Sequence, residues 1–193
     1  MTQYLANMEE EIYQNVKTEK TSRERQTFYR VTFNNNSQLL KIADNKANII
    51  ISINALVISS MVALVGYGSV SNQIDMSNLV MLIPLVVFIL TSLTSTILAV
   101  QAAKPKIVGK SNQSVEKRSV IFFGSVSEFT KDEYLRELNE TLKSKDEIQD
   151  QMSTSLYYQS MVLNHKYKLL RHAYQAFILG LVIGVIALLL QIF

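Results

Sequence analysis

Residues 47–67, ANIIISINALVISSMVALVGY, form about 21 consecutive positions with no charge and no proline. That stretch decides what the chain can be. At 1.5 Å of rise per residue, a helix of that length reaches across the roughly 30 Å hydrocarbon core of a bilayer. The polar segment 37–46 leads into it with no helix breaker before Gly66, so one helix is expected over 37–67. Along it Lys41, Asn45, Asn48, Ser52, Ala55, Ser59, Val62 and Gly66 alternate steps of four and three, which gathers them on one narrow stripe. Only Val62 is bulky and apolar. Lipid offers no partner for amides and hydroxyls, so the stripe reads as a surface for packing against other helices or as a pore seam.

Two further apolar blocks follow, LVMLIPLVVFILTSLTSTILAV at 79–100 and the segment 176–193. Pro84 is a candidate kink in the second, whose other half carries Thr91, Ser92, Ser95, Thr96 and Ala99 as a small-residue face. The third holds Ala176, Gly180 and Gly184, a small-x-x-x-small series that lets backbones approach, and at about 18 residues it barely spans. Between the first two blocks, the loop 68–78 has no Lys or Arg. All 19 basic residues fall in 1–46 or 101–175, seven and twelve respectively. That asymmetry predicts a cytoplasmic N-terminus, an external loop, a cytoplasmic region over 101–175 and an external C-terminus. No signal-peptide pattern opens the chain.

The remaining segments are polar. In 1–36, Leu5, Met8, Ile12 and Val16 recur at helical spacing, predicting an amphipathic helix that docks on another helix. Asn34-Asn35-Asn36-Ser37 reads as a break and a fresh N-cap. The short apolar run 119–129, SVIFFGSVSEF, fits a strand or a loop. Thr130-Lys131-Asp132-Glu133 and Ser144-Lys145-Asp146-Glu147 are helix starts of the capping-box kind. From Lys145 no Pro or Gly occurs until Gly180, so one helix is expected to run into the third span. Leu156, Ser160, Leu163, Tyr167, Leu170 and Tyr174 form its expected bundle seam.

The absence of cysteine removes disulfides, zinc-thiolate sites and thiol catalysis, and no P-loop or H-E-x-x-H occurs. No catalytic residue, cofactor or metal site is therefore assigned. His165 and His172 lie two turns apart, too far for one ion without other ligands, and read as interfacial side chains. A net charge of +3 gives no ground for nucleic-acid binding. The basic run 164–172 has two readings. The simpler is snorkelling and lipid contact. The sharper is an anion site with charge from Lys166, Lys168 and Arg171 and stacking faces from Tyr157, Tyr158, Tyr167 or Tyr174. Asp44, Asn45 and Lys46 at the mouth of the first span are costly unless paired or wet. They read as a clasp to the cytoplasmic bundle or as a ligand-responsive or gating collar.

Three stretches carry a resemblance to a known family: ADNKANIIISINALVIS (43–59), FFGSVSEFTKDEYL (122–135) and NHKYKLLRHAYQAFILGLVIGVIALLL (164–190). Together, in this order and spacing, they resemble the Pycsar effector transmembrane family, in which a phenylalanine pair also precedes a glycine and a K-Y-(K/R)-L-L-R-x-A-Y run enters the last span. The resemblance covers roughly residues 30–193. It implies a bacterial antiphage effector: a pyrimidine nucleotide cyclase makes cyclic CMP or cyclic UMP on infection, and the effector then damages the inner membrane. Some relatives add a cyclic-nucleotide-binding or an N-terminal nucleotide-hydrolase domain. Residues 1–36 are too short for either, and no His precedes His165.

The expectation is therefore an all-α, three-span, non-enzymatic membrane protein that self-associates, with its first and third spans extending into a cytoplasmic helical bundle. Signal sensing is assigned to a collar of Asp44, Asn45, Lys46, Phe122, Phe123, Lys168 and Arg171. The transmembrane packing or pore seam is assigned to Asn48, Ser52, Ala55, Ser59, Gly66, Gly180 and Gly184. The seam would hold packed helices at rest and line a wet path after rearrangement. The alternative is a membrane-anchored adaptor whose cytoplasmic helices recruit a partner protein.

Overall fold

In the computed structural model, which describes residues 2–71, 79–105 and 119–192, five helices follow one another. They are α1 (Thr2–Val70), α2 (Leu79–Ala103), α3 (Phe123–Val126), α4 (Lys131–Leu142) and α5 (Lys145–Ile192). No strand occurs among the described residues, as the all-α reading expects. Helices α1, α2 and α5 are each long and apolar enough to cross a membrane. Most of the expected external loop, 72–78, lies outside the described residues, as do the basic Lys106, Lys110, Lys117 and Arg118.

Helix α1 contradicts the break expected at Asn34–Ser37: it runs without interruption from Thr2 to Val70. Asparagine is only about 0.7 kcal/mol worse than alanine in a helix, which tertiary partners easily offset. Asn36 is buried and donates to Ser160 Oγ at 3.1 Å, and Ser37 Oγ accepts from Gln159 Nε2 at 3.2 Å. The apolar stripe expected to dock is exposed at Met8, Ile12 and Val16. Both predicted helix starts are present. Thr130 and Glu133 form a reciprocal capping box on α4, and Ser144 Oγ accepts from Glu147 N at 3.4 Å at the start of α5.

The helices contribute to two compact units. One contains α1 as far as Gln38, α3, α4 and α5 as far as Ser160. Here the α1–α5 contact is polar: Arg25 Nη1 donates to Gln149 Oε1 (2.9 Å), Tyr29 pairs with Ser153 (2.7 Å), and Asn36 with Ser160. Each pair is 124 residues apart, so the two helices run parallel and in register. The run 119–129 is a loop with the single turn α3; its first backbone donors go to side chains, and those of Ser125, Val126, Glu128 and Phe129 go to backbone carbonyls of the turn. Ser119 Oγ accepts from Ile121 N and Phe122 N, and Gln151 Oε1 from Val120 N.

The other unit contains α1 from Leu39, α2, and α5 from Met161. Its core is small: Ala43, Ala47 and Ile50 of α1, Ala99 and Ala102 of α2, and Leu170 and Ala173 of α5. Between membrane helices, dispersion at short range replaces the hydrophobic effect, and alanine permits that approach. Helix α2 buries Phe88, Ser92, Ser95, Ala99 and Ala102 in alternating steps of four and three, which takes in much of its predicted small-residue face.

Candidate functional site

Where the uncharged stretch of α1 begins, one ammonium ties three helices together. Lys166 of α5 is buried, at 7% exposure, and its Nζ forms an ion pair with Asp44 of α1. The same Nζ lies 3.5 Å from the Ala103 carbonyl at the end of α2. That carbonyl belongs to the last turn of a helix, whose unpaired oxygens carry the negative end of the dipole. Anion and carbonyl together satisfy a cation that would otherwise be costly to bury.

Lys166 therefore points inward, and the anion site that the sequence allowed for Lys166, Lys168 and Arg171 is split. Lys168 and Arg171 are exposed and have no ion-pair or hydrogen-bond partner among the described residues. Asn45 and Lys46 are exposed as well, with Lys46 Nζ 6.0 Å from the centre of the Tyr167 ring. Tyr167 Oη in turn donates to the Leu39 carbonyl at 3.5 Å. Phe122 and Phe123 belong to the other unit, where Phe122 packs on Tyr158 with ring centres 5.4 Å apart and Phe123 is 80% exposed. Of the seven collar residues, the structure thus gives Asp44 a charged partner that sequence reasoning had placed in an anion site. The signal for Lys166 was its place on α5 in the buried series Gln151, Ser155, Tyr158, Val162, Lys166, Leu170 and Ala173. The expected seam sits beside that series. Leu156, Leu163, Tyr167 and Tyr174 are half-buried, Ser160 is exposed, and Leu170 alone is shared with it.

Deeper along the spans lies a second polar node, in which the sequence singled out Ser95 as part of a small-residue face but not Asn54. Asn54 Nδ2 donates to Ser95 Oγ at 3.0 Å, and Ser95 Oγ donates to the Ala173 carbonyl at 2.8 Å. Both side chains are fully buried. Chemistry dictates the direction of this chain of bonds. A carbonyl only accepts, so the Ser95 hydrogen goes to Ala173, and Asn54 must present its amide hydrogen to Ser95. Asn54 Oδ1 is then left buried with no hydrogen-bond partner among the described residues. Ser95→Ala should strip Asn54 of its remaining bond and cost about 1–3 kcal/mol. Asn54→Leu, which removes the orphan and leaves Ser95 on Ala173, should stay within about 1 kcal/mol of the unsubstituted chain. Unfolding in mixed detergent micles compares the two. Equal losses would mean that Asn54 Oδ1 is satisfied.

The packing residues expected from sequence divide between two environments. Gly180 and Gly184 of α5 face α2, where an added Cβ would stand 2.3 Å from Thr91 Oγ1 and 2.8 Å from Phe88 Cδ2 respectively. Asn48, Ser52, Ala55, Ser59 and Gly66 of α1 are exposed, because α1 turns Ala43, Ala47, Ile50 and Asn54 toward its neighbours instead. Among the described residues, no group of His, Asp and Glu is placed to hold a metal ion.

In comparison with known families, the model of the Pycsar effector protein domain matches residues 28–192, which takes in all three apolar blocks and both polar nodes. No curated protein and no solved structure matched.

Proposed function

From the membership of this chain in the Pycsar effector domain family, which supports an antiphage defence role, we propose that it acts on the membrane itself. On a cyclic CMP or cyclic UMP signal it rearranges or oligomerises in the bacterial inner membrane and impairs the barrier. The observation that carries this reading is the outward polar stripe Asn45, Asn48, Ser52 and Ser59, exposed on a helix that is otherwise apolar enough to span. A helix that only tethers a cytoplasmic partner needs an apolar exterior, and amides and hydroxyls on that exterior raise its cost in lipid. The distribution of Lys and Arg supports a cytoplasmic N-terminus and an external C-terminus. In this reading the Asp44–Lys166–Ala103 clasp is what the signal loosens. Lys168 and Arg171, exposed and unpaired among the described residues, offer their charge to the nucleotide phosphate.

Dye release from liposomes holding the purified chain tests this, with cyclic CMP, cyclic UMP, cyclic AMP and no nucleotide run in parallel. One pyrimidine nucleotide alone should trigger release. Lys168→Ala/Arg171→Ala should raise the concentration it requires at least tenfold, in line with the loss of two charge-assisted contacts at about 1.5–3 kcal/mol each. Unchanged affinity in that double variant would move the site elsewhere. Tight liposomes under every condition, with folded protein, would favour a tether that works through a partner.

A further inference from the structure

We infer that the outward polar face of α1 is a contact between two copies of this chain, paired parallel and at equal depth in the bilayer. The inference deepens the self-association contained in the reading above and rests on the insertion of α1 in a membrane, but not on any nucleotide.

Between Ala43 and Tyr67, α1 has three distinct faces. One carries Ala43, Ala47, Ile50 and Asn54, buried against α2 and α5. A second carries Ile49, Ile53, Leu56, Leu64 and Tyr67, all large and exposed, as lipid requires. The third carries Asn45, Asn48, Ser52, Ala55 and Ser59, also exposed, and none of its polar side chains has a hydrogen-bond partner among the described residues. At 100° per residue this third face is turned roughly 140° from the buried one. No rotation of α1 within the three-helix packing serves both faces at once.

A second copy fits this face better than any other occupant. Asparagine and serine side chains both donate and accept, so a row of them is its own complement. Two identical helices inserted in the same sense place Asn48 opposite Asn48 and Ser52 opposite Ser52 without any adjustment of depth. This is the isologous contact of a two-fold axis along the membrane normal. A different protein would have to carry matching groups at the same depths. Ala55 and Gly66 leave room for the helices to close, and a Cβ at Gly66 would meet nothing within 4 Å. Lys41, next up the stripe, precedes the uncharged stretch by about one and a half turns, where water and salt screen like charges.

The chain has no cysteine, so single-cysteine variants report this contact directly. Ser52→Cys and Ser59→Cys, both at exposed positions, are oxidised in membranes without nucleotide beside Ile53→Cys and Leu64→Cys on the lipid face. We expect at least fivefold more disulfide-linked dimer from the polar face than from the lipid face, and a several-fold drop when Asn48→Leu is added to Ser52→Cys. Equal yields from the two faces, no dimer at either polar position, or a cross-link to a protein of another mass would each overturn the inference. Cross-linking beside liposomes that stay tight under every nucleotide would keep the contact and reject the signalling reading. Release on nucleotide without cross-linking would do the reverse.

Discussion

Gly180→Leu should abolish the docking of the third span on the second, seen as loss of most of the folded protein recovered in micelles. The Cβ alone would stand 2.3 Å from Thr91 Oγ1 and 3.0 Å from Thr91 Cβ. Thr91 cannot simply swing aside, since its hydroxyl donates to the Val87 and Phe88 carbonyls of its own helix at 3.0 and 2.8 Å. Overpacking of this kind costs about 1–3 kcal/mol for small additions. Leucine adds three further carbons, which force α5 away from α2 and open the contact of Gly184 with the Phe88 ring. Alanine gives the finer test, because two effects compete. Helix propensity favours Ala over Gly by about 1 kcal/mol. At Gly66 nothing opposes that gain, so Gly66→Ala should stabilise the monomer in micelles by up to about 1 kcal/mol. At Gly180 the clash with Thr91 outweighs it, and the same substitution should destabilise. Equal signs at the two positions would mean that α5 does not lie against α2 as described.

Asp44→Ala carries the second large effect. Among the described residues it leaves the buried Lys166 ammonium with only the Ala103 carbonyl at 3.5 Å. Removing one partner of a fully buried pair costs about 3–5 kcal/mol. The Asp44 side chain is 44% exposed, and water reaching that side tempers the loss to about 2–3 kcal/mol. For a chain of this size that corresponds to a fall in Tm of roughly 5–10 °C. Asp44→Ala with Lys166→Met should recover most of it, since an unbranched thioether fills the path of the lysine stem with no charge to satisfy. If the double variant unfolded as early as the single one, the destabilisation would come from helix packing at Asp44 and not from an abandoned cation.

The three spans and the helix starts at Thr130 and Ser144 were legible in the sequence because each rests on local chemistry: length without charge, or a cap beside its own helix. The break expected at Asn34–Ser37 was misleading because the groups that hold α1 together there, Ser160 and Gln159, lie over a hundred residues away. The inward face of α1 was hidden for another reason. Ala43, Ala47, Ile50 and Asn54 follow the same alternating spacing as Asn45, Asn48, Ser52 and Ala55. Spacing reveals that a stripe exists, but its phase relative to the bundle is set by the alanines of α2 and α5. On α5 the apolar weight of Leu156, Leu163 and Tyr167 drew the seam aside from a buried row containing Gln151, Ser155 and Lys166. In a polar interface hydrophobicity is a poor guide to burial. Lys166, set in a basic run, looked like one more surface charge until Asp44 and Ala103 were seen beside it.

The solitary acceptor of Asn54 gives the three-helix packing a built-in bias. Its Oδ1 is buried with no hydrogen-bond partner among the described residues while α1, α2 and α5 stay packed. Any arrangement that brings a donor to that oxygen gains about 1–3 kcal/mol relative to one that leaves it unpaired, a factor of roughly 5–150 in population. The three-helix packing is thus frustrated at its centre, and a donor reaching that one oxygen would narrow its margin over looser arrangements.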